Sequence, residues 1–536
     1  MECDCLRFSE IPQTTKLFAS FIENFPKVKE LYGHVPDETG VRAAAGEVRL
    51  DASARKAVAE ILREQNERLG SSREAMRNIE RLRDGAAAIV TGQQVGLFGG
   101  PAYCIYKALD AIAWAKRLTR AGVDAVPIFW MATEDHDLAE ANHVFFRERY
   151  GIAQLATEVE NSVAGQSVGR ISFGNEIAAV VEHANSLLDG SSAKELGAAL
   201  AATYRAGENF GSAFGKLLAR LFENSGLILL EPLDRRLHEL ARPIYQKVVE
   251  QSAEIAGELL ARGKELGKSG FHAQVKVTQQ STLIFVDVES RREAVRRKNG
   301  EFLAGNLRLN AAELLKKIEN EPETLSPSVL LRPVLQDFLL PTAAYVGGPA
   351  EVAYMAQAQV VYKRILGRMP AILPRASFTL VESNVARTMK KYELGIGDIF
   401  AGRQRVRRKM EMHYLPHGLE ARFARDEKAL RQILSGYGKP FSTLDKSLAG
   451  ARDTTEKKML HQFQKLRGKA GRAQNERTGV LDRHESEIVS AMYPRHGLQE
   501  RTLSLLPFLA RYGMDLLERL ESASQSACKG HRVVSL

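Results

Sequence analysis

Short apolar runs recur along the chain and are separated by segments with helical spacing. The clearest runs are Ala86–Val90, Ala125–Trp130 and Gly226–Pro232. Residues 101–118 place apolar side chains on one helical face, and residues 234–252 predict a second such helix. Strands that are apolar throughout and joined by helices are typical of a parallel sheet. The pattern therefore predicts an α/β core, which resumes at residues 343–357 and 370–382.

Two segments interrupt this α/β pattern. Residues 151–220 form a first insertion, and residues from about 265 to 325 form a second one. In the second, the stretches STLIFVDVE and RREAVRRKNGEFLAG look like antiparallel strands. The dipeptide Asn299-Gly300 predicts a tight hairpin turn between two of them.

From about residue 400 to 490 the chain is charged, poor in glycine and helical. Apolar positions with four-three spacing predict a heptad seam, weakened by alanine and arginine. The seam positions are Met459, Phe463, Leu466, Ala470, Ala473, Arg477 and Val480. An upstream helix near Leu419–Leu434 is set off by SGYGKP, so we expect an antiparallel hairpin or coiled coil. A simple helical subdomain fits this pattern nearly as well.

These changes of pattern predict seven consecutive segments. They are the N-terminal helices and first half of the core (1–150), the first connecting insertion (151–220), a core strand and helix (221–264), the second insertion with its β-hairpin (265–328), the second half of the core (329–398), a helical coiled-coil domain (399–492) and a C-terminal helix packing on the core (493–536).

Length and composition are those of a globular protein. The chain has 536 residues, of which 44% are hydrophobic and 26% are charged. No stretch of 18 apolar residues occurs, so we expect no membrane partner. The opening MECDCLRFSEIPQTTKLF has acidic residues and no apolar core of a secretory signal. We therefore expect a cytoplasmic protein.

Cysteines are few and scattered. Cys3, Cys5, Cys104 and Cys528 do not form the spacing of a disulfide framework or of a zinc site. Since disulfides are rare in the cytosol, we expect reduced thiols of minor structural importance. Cys104 follows a glycine loop and is expected to serve packing.

The formal net charge is +10, and part of it comes from the run RQRVRRK at Arg403–Lys409. Such a run can mark nucleic-acid binding, but it is more often a solvated helix face, so we expect no nucleic-acid partner. Anionic small substrates would also suit a basic protein.

The loop VTGQQVGLFGGP at 90–101 joins a predicted strand to a predicted helix. Backbone N–H groups at such a junction favour an anion, but the loop has neither the Walker A nor the G-x-G-x-x-G pattern. Two adjacent glutamine amides suit a polyhydroxyl or carboxylate ligand. Candidate substrate-binding residues are Gly92, Gln93, Gln94, Gly96, Leu97 and Gly100. Lys107 could reach back to the same anion, although a lone helical lysine is more often on the surface.

The motif TEDHD at Thr133–Asp137 follows the second predicted strand, where open α/β sheets bind ligands. Its carboxylates could hold Mg²⁺ or grip an ammonium group or sugar hydroxyls. His136 could act as a general base between two acids. A solvated turn with an aspartate capping the helix at Leu138 is the alternative.

Two further strand ends carry polar residues. In YVGGPAEVAY the candidates are Tyr345, Gly347, Gly348 and Glu351, and Glu351 is also favourable at a helix start for purely structural reasons. In PRASFTLVE the candidates are Arg375, which could hold a carboxylate or phosphate, and Ser377. No Ser-His-Asp order, H-E-x-x-H motif or paired C-x-x-C motif supports covalent or zinc chemistry.

Five stretches together resemble a known family. GQQVGLFGGPAYCIYKA, PIFWMATEDHDLAEANHV, YVGGPAEVAYMAQ, PRASFTLVE and LQERTLSLLPFLARYG are similar to the cysteine-adding enzymes of bacillithiol synthesis, the cysteine ligase family. The resemblance spans nearly the full chain. It implies a Rossmann-type core related to class I aminoacyl-tRNA synthetases, two connecting insertions and a C-terminal coiled coil that forms a homodimer.

The resemblance also implies a reaction. The carboxyl group of cysteine would be joined to the amine of glucosaminyl-malate. The resemblance also implies that an adenine nucleotide is bound. The synthetase motifs H-I-G-H and K-M-S-K-S are absent, so no motif places ATP or ADP. We expect ATP-dependent amide formation, with Mg²⁺ possible but no metal ligand assigned.

Roles follow from motif position. Gln93, Gln94 and the glycine amides would bind the malate or sugar, together with Thr133 and Glu134 as neighbouring contacts. Asp135 and Asp137 would hold an amine or hydroxyls, and His136 would deprotonate the amine. The alternative is a non-catalytic protein that binds a nucleotide or thiol conjugate and uses the coiled coil to engage a partner.

Overall fold

The computed structural model describes residues 3–159, 163–415, 417–445 and 447–536. These residues form two compact units. The larger unit comprises the chain up to Phe146, Ala153–Thr379 and Glu500–Val534, and the smaller comprises Arg147–Ile152, Leu380–Gln499 and Ser535–Leu536. None of the described helices combines the length and the apolar character needed to cross a bilayer.

A five-stranded parallel sheet, here called the core sheet, forms the centre of the larger unit. Its strands in spatial order are Ala371–Pro374, Thr342–Gly347, Ala87–Gln93, Ala125–Met131 and Ile228–Leu230. Nearly all of their side chains are buried, as the uninterrupted apolar runs predict. The α/β core with a parallel sheet is thereby confirmed. The chain order reverses between Ala87–Gln93 and Thr342–Gly347, which makes the gap between their carboxyl ends the topological switch point.

Helices surround this sheet. The helix Tyr103–Arg120 connects the first two strands and packs on both of them, close to the bounds that the apolar spacing predicts. The other helices of at least seven residues in the larger unit are Lys16–Glu23, Glu38–Gly46, Ala52–Leu69, Arg73–Arg83, Ile177–Leu187, Ala193–Thr203, Phe210–Leu221, Arg235–Glu250, Ser252–Lys268, Ala311–Asn320, Arg332–Leu339, Pro349–Ile365, Leu506–Tyr512 and Leu516–Ser524.

A second sheet of five strands, here called the insertion sheet, is antiparallel throughout. Its strands in spatial order are Leu307–Leu309, Glu301–Ala304, Arg291–Lys298, Ser281–Val288 and Leu325–Pro327. The predicted hairpin turn is confirmed, because Asn299 and Gly300 link two adjacent strands with φ of 52° and 84°. A separate two-stranded sheet is formed by His143–Arg147 and Ile152–Ala156.

The chain ends meet in a three-stranded sheet of Cys3–Leu6, His531–Ser535 and Ser377–Val381. In its register Cys5 lies opposite Arg532, which brings the first segment close to residue 528. Cys5 and Cys528 form a disulfide, so the prediction of reduced thiols is wrong for this pair. The sequence spacing could not show it, because 523 residues separate the two sulfurs and only strand pairing brings them together. Cys104 is a buried free thiol, as expected for a packing residue.

The smaller unit is helical. Its helices are Ser383–Lys391, Ile396–Phe400, Arg403–His413, His417–Gly436, Gly438–Leu444, Ser447–Thr478 and Val480–Met492. Glu420 pairs with Arg467, the Phe423 and Phe463 rings lie 5.3 Å apart, and Arg431 lies 3.6 Å from Glu456. As residue numbers increase along the helix His417–Gly436, the numbers of their partners on the helix Ser447–Thr478 decrease. The two helices are therefore antiparallel, which confirms the predicted helical hairpin.

The predicted heptad seam is only partly realised. Phe463 packs inside the hairpin, but Met459 and Leu466 are 45% and 56% exposed. Val480 begins a separate helix, because Gly479 is left-handed at φ 60° and ends the preceding one, so its place in a single continuous seam is wrong. The side chain of Arg477 lies outside the described part of the chain.

The basic run Arg403–Lys409 is largely neutralised within the same unit. Arg403 and Arg407 contact Glu485 at 2.8 and 2.7 Å, and Lys409 contacts Asp398 at 2.7 Å. Guanidinium and ammonium groups held by carboxylates are less available to phosphates. The pairing agrees with the interpretation of this run as a helix face.

Candidate functional site

The two central strands bring the glycine loop and the TEDHD motif together. Gln93 and Met131 are opposite one another at the carboxyl ends of neighbouring parallel strands. Immediately beyond these ends, Gln94 Nε2 donates to Asp135 Oδ2 over 2.7 Å. Residues that are 41 positions apart in sequence thus share one hydrogen bond. We therefore take this edge of the core sheet as the candidate site.

The glycines of the loop mainly permit close packing. A Cβ atom on Gly92 would lie 2.7 Å from the carbonyl oxygen of Trp130, and one on Gly96 would lie 3.1 Å from Gly100 Cα. The N–H groups of Gly96, Gly99 and Gly100 already donate to carbonyl oxygens within the loop. Leu97 is fully buried. These three N–H groups are therefore already occupied within the loop, and the polar groups that the loop directs towards neighbouring segments are the side chains of Gln93 and Gln94.

Lys107 is completely buried, so its interpretation as a surface residue is wrong. Its Nζ atom donates to the carbonyl oxygen of Gly92, to Gln93 Oε1 at 3.2 Å and to Glu351 Oε2 at 2.6 Å. Gly92 and Gln93 end one strand at the topological switch point, and Glu351 lies in the first turn of the helix that follows the other strand. A single ammonium group thereby joins the glycine loop to the YVGGPAE motif.

Glu351 is the centre of a buried polar network. It accepts hydrogen bonds from the Gly348 N–H at 2.8 Å and from the Tyr345 hydroxyl at 2.5 Å, in addition to Lys107. Burial alone would raise the pKa of Glu351, but the Lys107 ammonium and these donors hold it below its ordinary value. The expected helix-start role of Glu351 is present, since its carboxylate accepts from the N–H of Gly348, the residue that precedes the first helical turn.

The network continues to Arg332, which sequence reasoning missed. Its Nη2 atom donates to the Tyr354 hydroxyl at 2.6 Å and lies 3.4 Å from the Tyr345 hydroxyl. Its Nη1 atom is buried and has no hydrogen-bond partner among the described residues. Arg332 also lines a cavity of about 920 Å³ beside the site. A guanidinium N–H without a hydrogen-bond partner suits an anionic oxygen of a ligand.

The solvent exposure of the side chains increases along the TEDHD motif. Thr133 is fully buried and bonds Glu231, and Glu134 is 6% exposed. Asp135 and His136 have side chains that are 36% and 41% exposed. Asp137 is exposed and caps the short helix Leu138–Ala141 by accepting from the Glu140 N–H, so the capping alternative is confirmed for that residue alone.

A cavity of about 920 Å³ opens between this motif and the insertion sheet. Glu134, Asp135 and His136 line one wall, and residues from Ser281–Val288 and Arg291–Lys298 line the opposite one. Its volume is within the usual range for small-molecule sites. The second insertion therefore supplies half of the candidate site.

Arg292 is the main contribution of the insertion sheet, and it was also missed. Its Nη1 atom lies 3.1 Å from His136 Nδ1 and 3.8 Å from Asp135 Oδ1. Its other nitrogens donate to Ser326 Oγ and to the Pro327 carbonyl oxygen, both at 2.8 Å. The guanidinium also stacks 3.9 Å from the centroid of the Phe285 ring. These five contacts fix the orientation of the guanidinium at the cavity wall.

Arg375 and Ser377 belong to a different, fully buried cluster. Arg375 Nη2 and Ser377 Oγ each donate to Glu500 Oε1 at 2.7 Å, and Ser377 Oγ also lies 2.7 Å from His531 Nδ1. Arg375 reaches the back of the glycine turn, since a Cβ on Gly348 would meet its Nε at 3.3 Å. A Cβ on Gly347 would lie 3.0 Å from the Glu351 Cβ, so both glycines serve close packing. The structure thus places Arg375 and Ser377 behind the site.

Metal binding has no preformed centre in the part of the chain that the structure describes, where no group of three His, Cys, Asp or Glu residues has the required geometry.

The two arginines that sequence reasoning missed have weak signals in the sequence. Arg292 is one of five basic residues in RREAVRRK, and Arg332 follows two leucines in a helix start. Only folding shows which of these arginines contacts His136 at the cavity wall.

Comparisons with known families match the whole chain. Residues 1–376 match the model described as "Bacillithiol biosynthesis BshC, N-terminal Rossmann-like domain". Residues 378–536 match the model described as "Bacillithiol biosynthesis BshC, C-terminal coiled-coil domain". These two descriptions agree with the core sheet and with the helical hairpin.

Full-length relatives carry one name. A protein of Koribacter versatilis (strain Ellin345) named "Putative cysteine ligase BshC" is 43% identical over 531 residues, which cover 99% of each chain. A protein of Solibacter usitatus (strain Ellin6076) with the same name is 35% identical over 538 residues and 100% of each chain. One of Salinibacter ruber (strain DSM 13855 / M31), also so named, is 32% identical over 97% of this chain and 96% of its own.

Proposed function

Because this chain belongs to the bacillithiol biosynthesis BshC family, we propose that it is a ligase that joins the carboxyl group of cysteine to the amine of glucosaminyl-malate. The product would be bacillithiol, made in the cytoplasm. One observation carries the proposal beyond the family name. A buried carboxyl group, Glu134, and two oriented guanidinium groups, Arg292 and Arg332, line one cavity at the end of the core sheet.

The charges suit the proposed substrates. Malate contributes carboxylates, and a planar guanidinium binds a carboxylate through two parallel hydrogen bonds. Arg332 lines the cavity and its Nη1 atom has no hydrogen-bond partner among the described residues, so it is the proposed anion contact. Gln94 and Asp135, already joined at 2.7 Å, are proposed to contact sugar hydroxyls or the amine at the adjacent wall.

Amide formation from a free carboxylate needs activation, and ATP is the proposed source. The donor set of the cavity fits a phosphate as well as a carboxylate, because Arg332 and Arg292 present guanidinium N–H groups there. ATP would supply an acyl phosphate or an acyl adenylate of cysteine, and Mg²⁺ would accompany its phosphates. The chain's own residues would orient the two substrates and exclude water, since Glu134, Thr133 and Lys107 are all buried at this edge.

We also propose that two copies of the chain associate through the helical hairpin. Its apolar side chains Leu444, Ile433 and Leu466 are 80%, 61% and 56% exposed. These side chains lie on three consecutive helices, His417–Gly436, Gly438–Leu444 and Ser447–Thr478, and exposed apolar side chains of this size suit an interaction surface. A second copy would cover these side chains.

A mass-spectrometric endpoint assay tests the ligase. Purified protein is incubated with glucosaminyl-malate, cysteine, ATP and Mg²⁺, and each component is omitted in turn. We expect bacillithiol only in the complete mixture, with ADP or AMP identifying the activated intermediate. An Arg332→Met preparation purified in parallel controls for contaminating activity. No product from folded protein that still binds the sugar-malate would instead favour the non-catalytic binding protein.

A further inference from the structure

Glu134 lies between the cavity and a buried histidine. Its side chain lines the cavity but is only 6% exposed. On its other side, Glu134 Oε1 lies 3.8 Å from His238 Nε2, on the helix Arg235–Glu250. The backbone around Glu134 is held in place, because Ser167 Oγ donates to its carbonyl oxygen at 3.2 Å. A carboxyl group in this position can meet a ligand on one face and the imidazole on the other.

The protonation state of His238 follows from its neighbours. His238 is 4% exposed, and its Nε2 atom has no hydrogen-bond partner among the described residues. The ring is also hydrogen-bonded to the backbone of Pro232, and this bond therefore belongs to Nδ1. Proline offers only a carbonyl oxygen, so Nδ1 carries the proton. Burial lowers the pKa of His238 to about 4, which leaves Nε2 with a lone pair at neutral pH, 3.8 Å from Glu134 Oε1.

Charges of both signs face Glu134 from the surrounding elements. Burial raises the pKa of Glu134 to about 8, and the carboxylates of Glu231 and Asp287 act in the same direction, whereas Arg292 and Arg332 oppose it. The remaining titratable groups nearby are Asp135 and His136 on its own segment and Tyr245 and His238 on the helix behind it. A carboxyl group in these surroundings can exchange a proton near neutral pH.

His136 has the opposite hydrogen-bonding role. Arg292 Nη1 lies 3.1 Å from His136 Nδ1, and a guanidinium can only donate. His136 Nδ1 must therefore accept, and Nε2 of the neutral ring carries the proton. In this tautomer His136 can donate a hydrogen bond to a substrate oxygen from Nε2, but it has no free lone pair with which to take a proton.

We propose that the Glu134 carboxylate takes the proton from the attacking amine, and that His238 is a positioning residue that accepts a hydrogen bond from the resulting carboxylic acid. This inference rests on the proposed ligase function. The amine nitrogen forms a bond to the carbonyl carbon of activated cysteine, an acyl phosphate or acyl adenylate. The bond from that carbon to the phosphate oxygen breaks, and the electron pair leaves with the phosphate or AMP. The proton lost by the nitrogen moves to Glu134.

The pH dependence has a defined sign. Only ionised Glu134 can accept the proton, so kcat/KM should rise with pH through a value near 8 in the free enzyme. Deprotonation of the substrate amine also increases kcat/KM with pH, and the pKa of that amine is measured separately by NMR titration of glucosaminyl-malate. In the Glu134→Gln variant, only the increase caused by the substrate amine should remain.

The test measures amide formation by the full chain from pH 6 to 9.5, with glucosaminyl-malate binding measured by calorimetry. We expect Glu134→Gln to lower kcat about 100-fold or more, with binding changed less than about 3-fold and the enzyme's own pH rise lost. Glu134→Asp, which keeps a carboxyl group, should retain that rise at a reduced rate. His238→Asn should shift the midpoint of the rise, which loss of packing alone would not do. The matched control is Glu182→Gln, an exposed carboxyl group on the helix Ile177–Leu187.

Two failures are distinguishable. If Glu134→Gln and Glu134→Asp both keep the wild-type rate and pH profile while the wild type makes bacillithiol, the assignment of Glu134 is overturned and the ligase stands. If the wild type makes no product in any mixture, the ligase proposal falls and takes this assignment with it. Circular dichroism of each variant identifies loss of folding, and Glu134→Asp then decides whether a carboxyl group is required.

Discussion

The ammonium group of Lys107 lies 2.6 Å from the Glu351 carboxylate, with the lysine side chain 1% exposed and the glutamate side chain 16% exposed. The two residues are 244 positions apart and come from helices that follow the two strands at the topological switch point. The pair therefore ties the two halves of the core sheet together at the edge where the cavity opens. Burial lowers the pKa of Lys107, and Glu351 offsets part of that effect.

Lys107→Met should destabilise the fold by about 3–5 kcal/mol, because it leaves a buried carboxylate without its cation. Urea unfolding measures the effect. Lys116→Met is the matched control on the same helix, where an exposed lysine pairs with Glu521, and should cost about 1 kcal/mol or less. Adding Glu351→Gln to Lys107→Met should recover part of the loss. Equal effects at positions 107 and 116 would contradict a stabilising buried pair.

His136→Asn should lower turnover about 10-fold or more with little effect on folding, because the ring is 41% exposed and donates from the cavity wall in the tautomer set by Arg292. The readouts are kcat from the bacillithiol assay and the melting temperature. His183→Asn, on the exposed face of another helix, is the control. Unchanged turnover in His136→Asn would remove this residue from the mechanism.

Arg332→Lys should raise KM for glucosaminyl-malate about 10- to 100-fold and change kcat much less. Lysine keeps the charge but loses the planar fork, and a hydrogen bond to a charged group contributes about 1.5–3 kcal/mol. Steady-state kinetics with the sugar-malate varied gives both constants. Arg235→Lys, at a side chain that is 59% exposed, should leave KM unchanged. A wild-type KM in Arg332→Lys would place the substrate anion elsewhere.

Ile433→Glu combined with Leu444→Glu should convert the proposed dimer to a monomer while the helical content stays the same. Both side chains are exposed in the single chain, so the charges disturb only a surface that a second copy would cover. Light scattering coupled to size exclusion measures the mass. Val35→Glu, at an exposed apolar residue of the larger unit, should leave the mass unchanged. A wild-type chain with monomer mass would refute the association.

Two buried histidines should weaken the fold in acid. Burial lowers the pKa values of His238 and His531 to about 4, against about 6.5 in an unfolded chain. Below pH 6.5 the unfolded chain binds these two protons and the folded chain does not. The contribution of these two histidines to the free energy of unfolding should therefore fall between pH 6.5 and 4 and keep its full value above 6.5. Calorimetry should show a shallower fall in His531→Asn than in the exposed control His183→Asn, and equal slopes would exclude His531.

Local patterns were sufficient for much of the fold. Uninterrupted apolar runs predicted the core strands, and helical spacing predicted Tyr103–Arg120 and Arg235–Glu250. Asn-Gly predicted the hairpin turn. These features depend on residues only a few positions apart, so the local sequence is enough to predict them. The same reasoning placed the TEDHD motif and the glutamines at strand ends, since parallel strands finish at a common edge.

The tertiary structure decided everything that depends on distant partners. It buried Lys107 against Glu351, joined Cys5 to Cys528, and moved Arg375 into a cluster with Glu500. It also selected Arg292 from a strand of similar residues to face His136. The sequence by itself determined the strands, the helices and the motifs at their ends. Contacts between residues that are hundreds of positions apart decide which charged side chains are paired, which remain at the cavity and which are desolvated. Only folding brings such residues together.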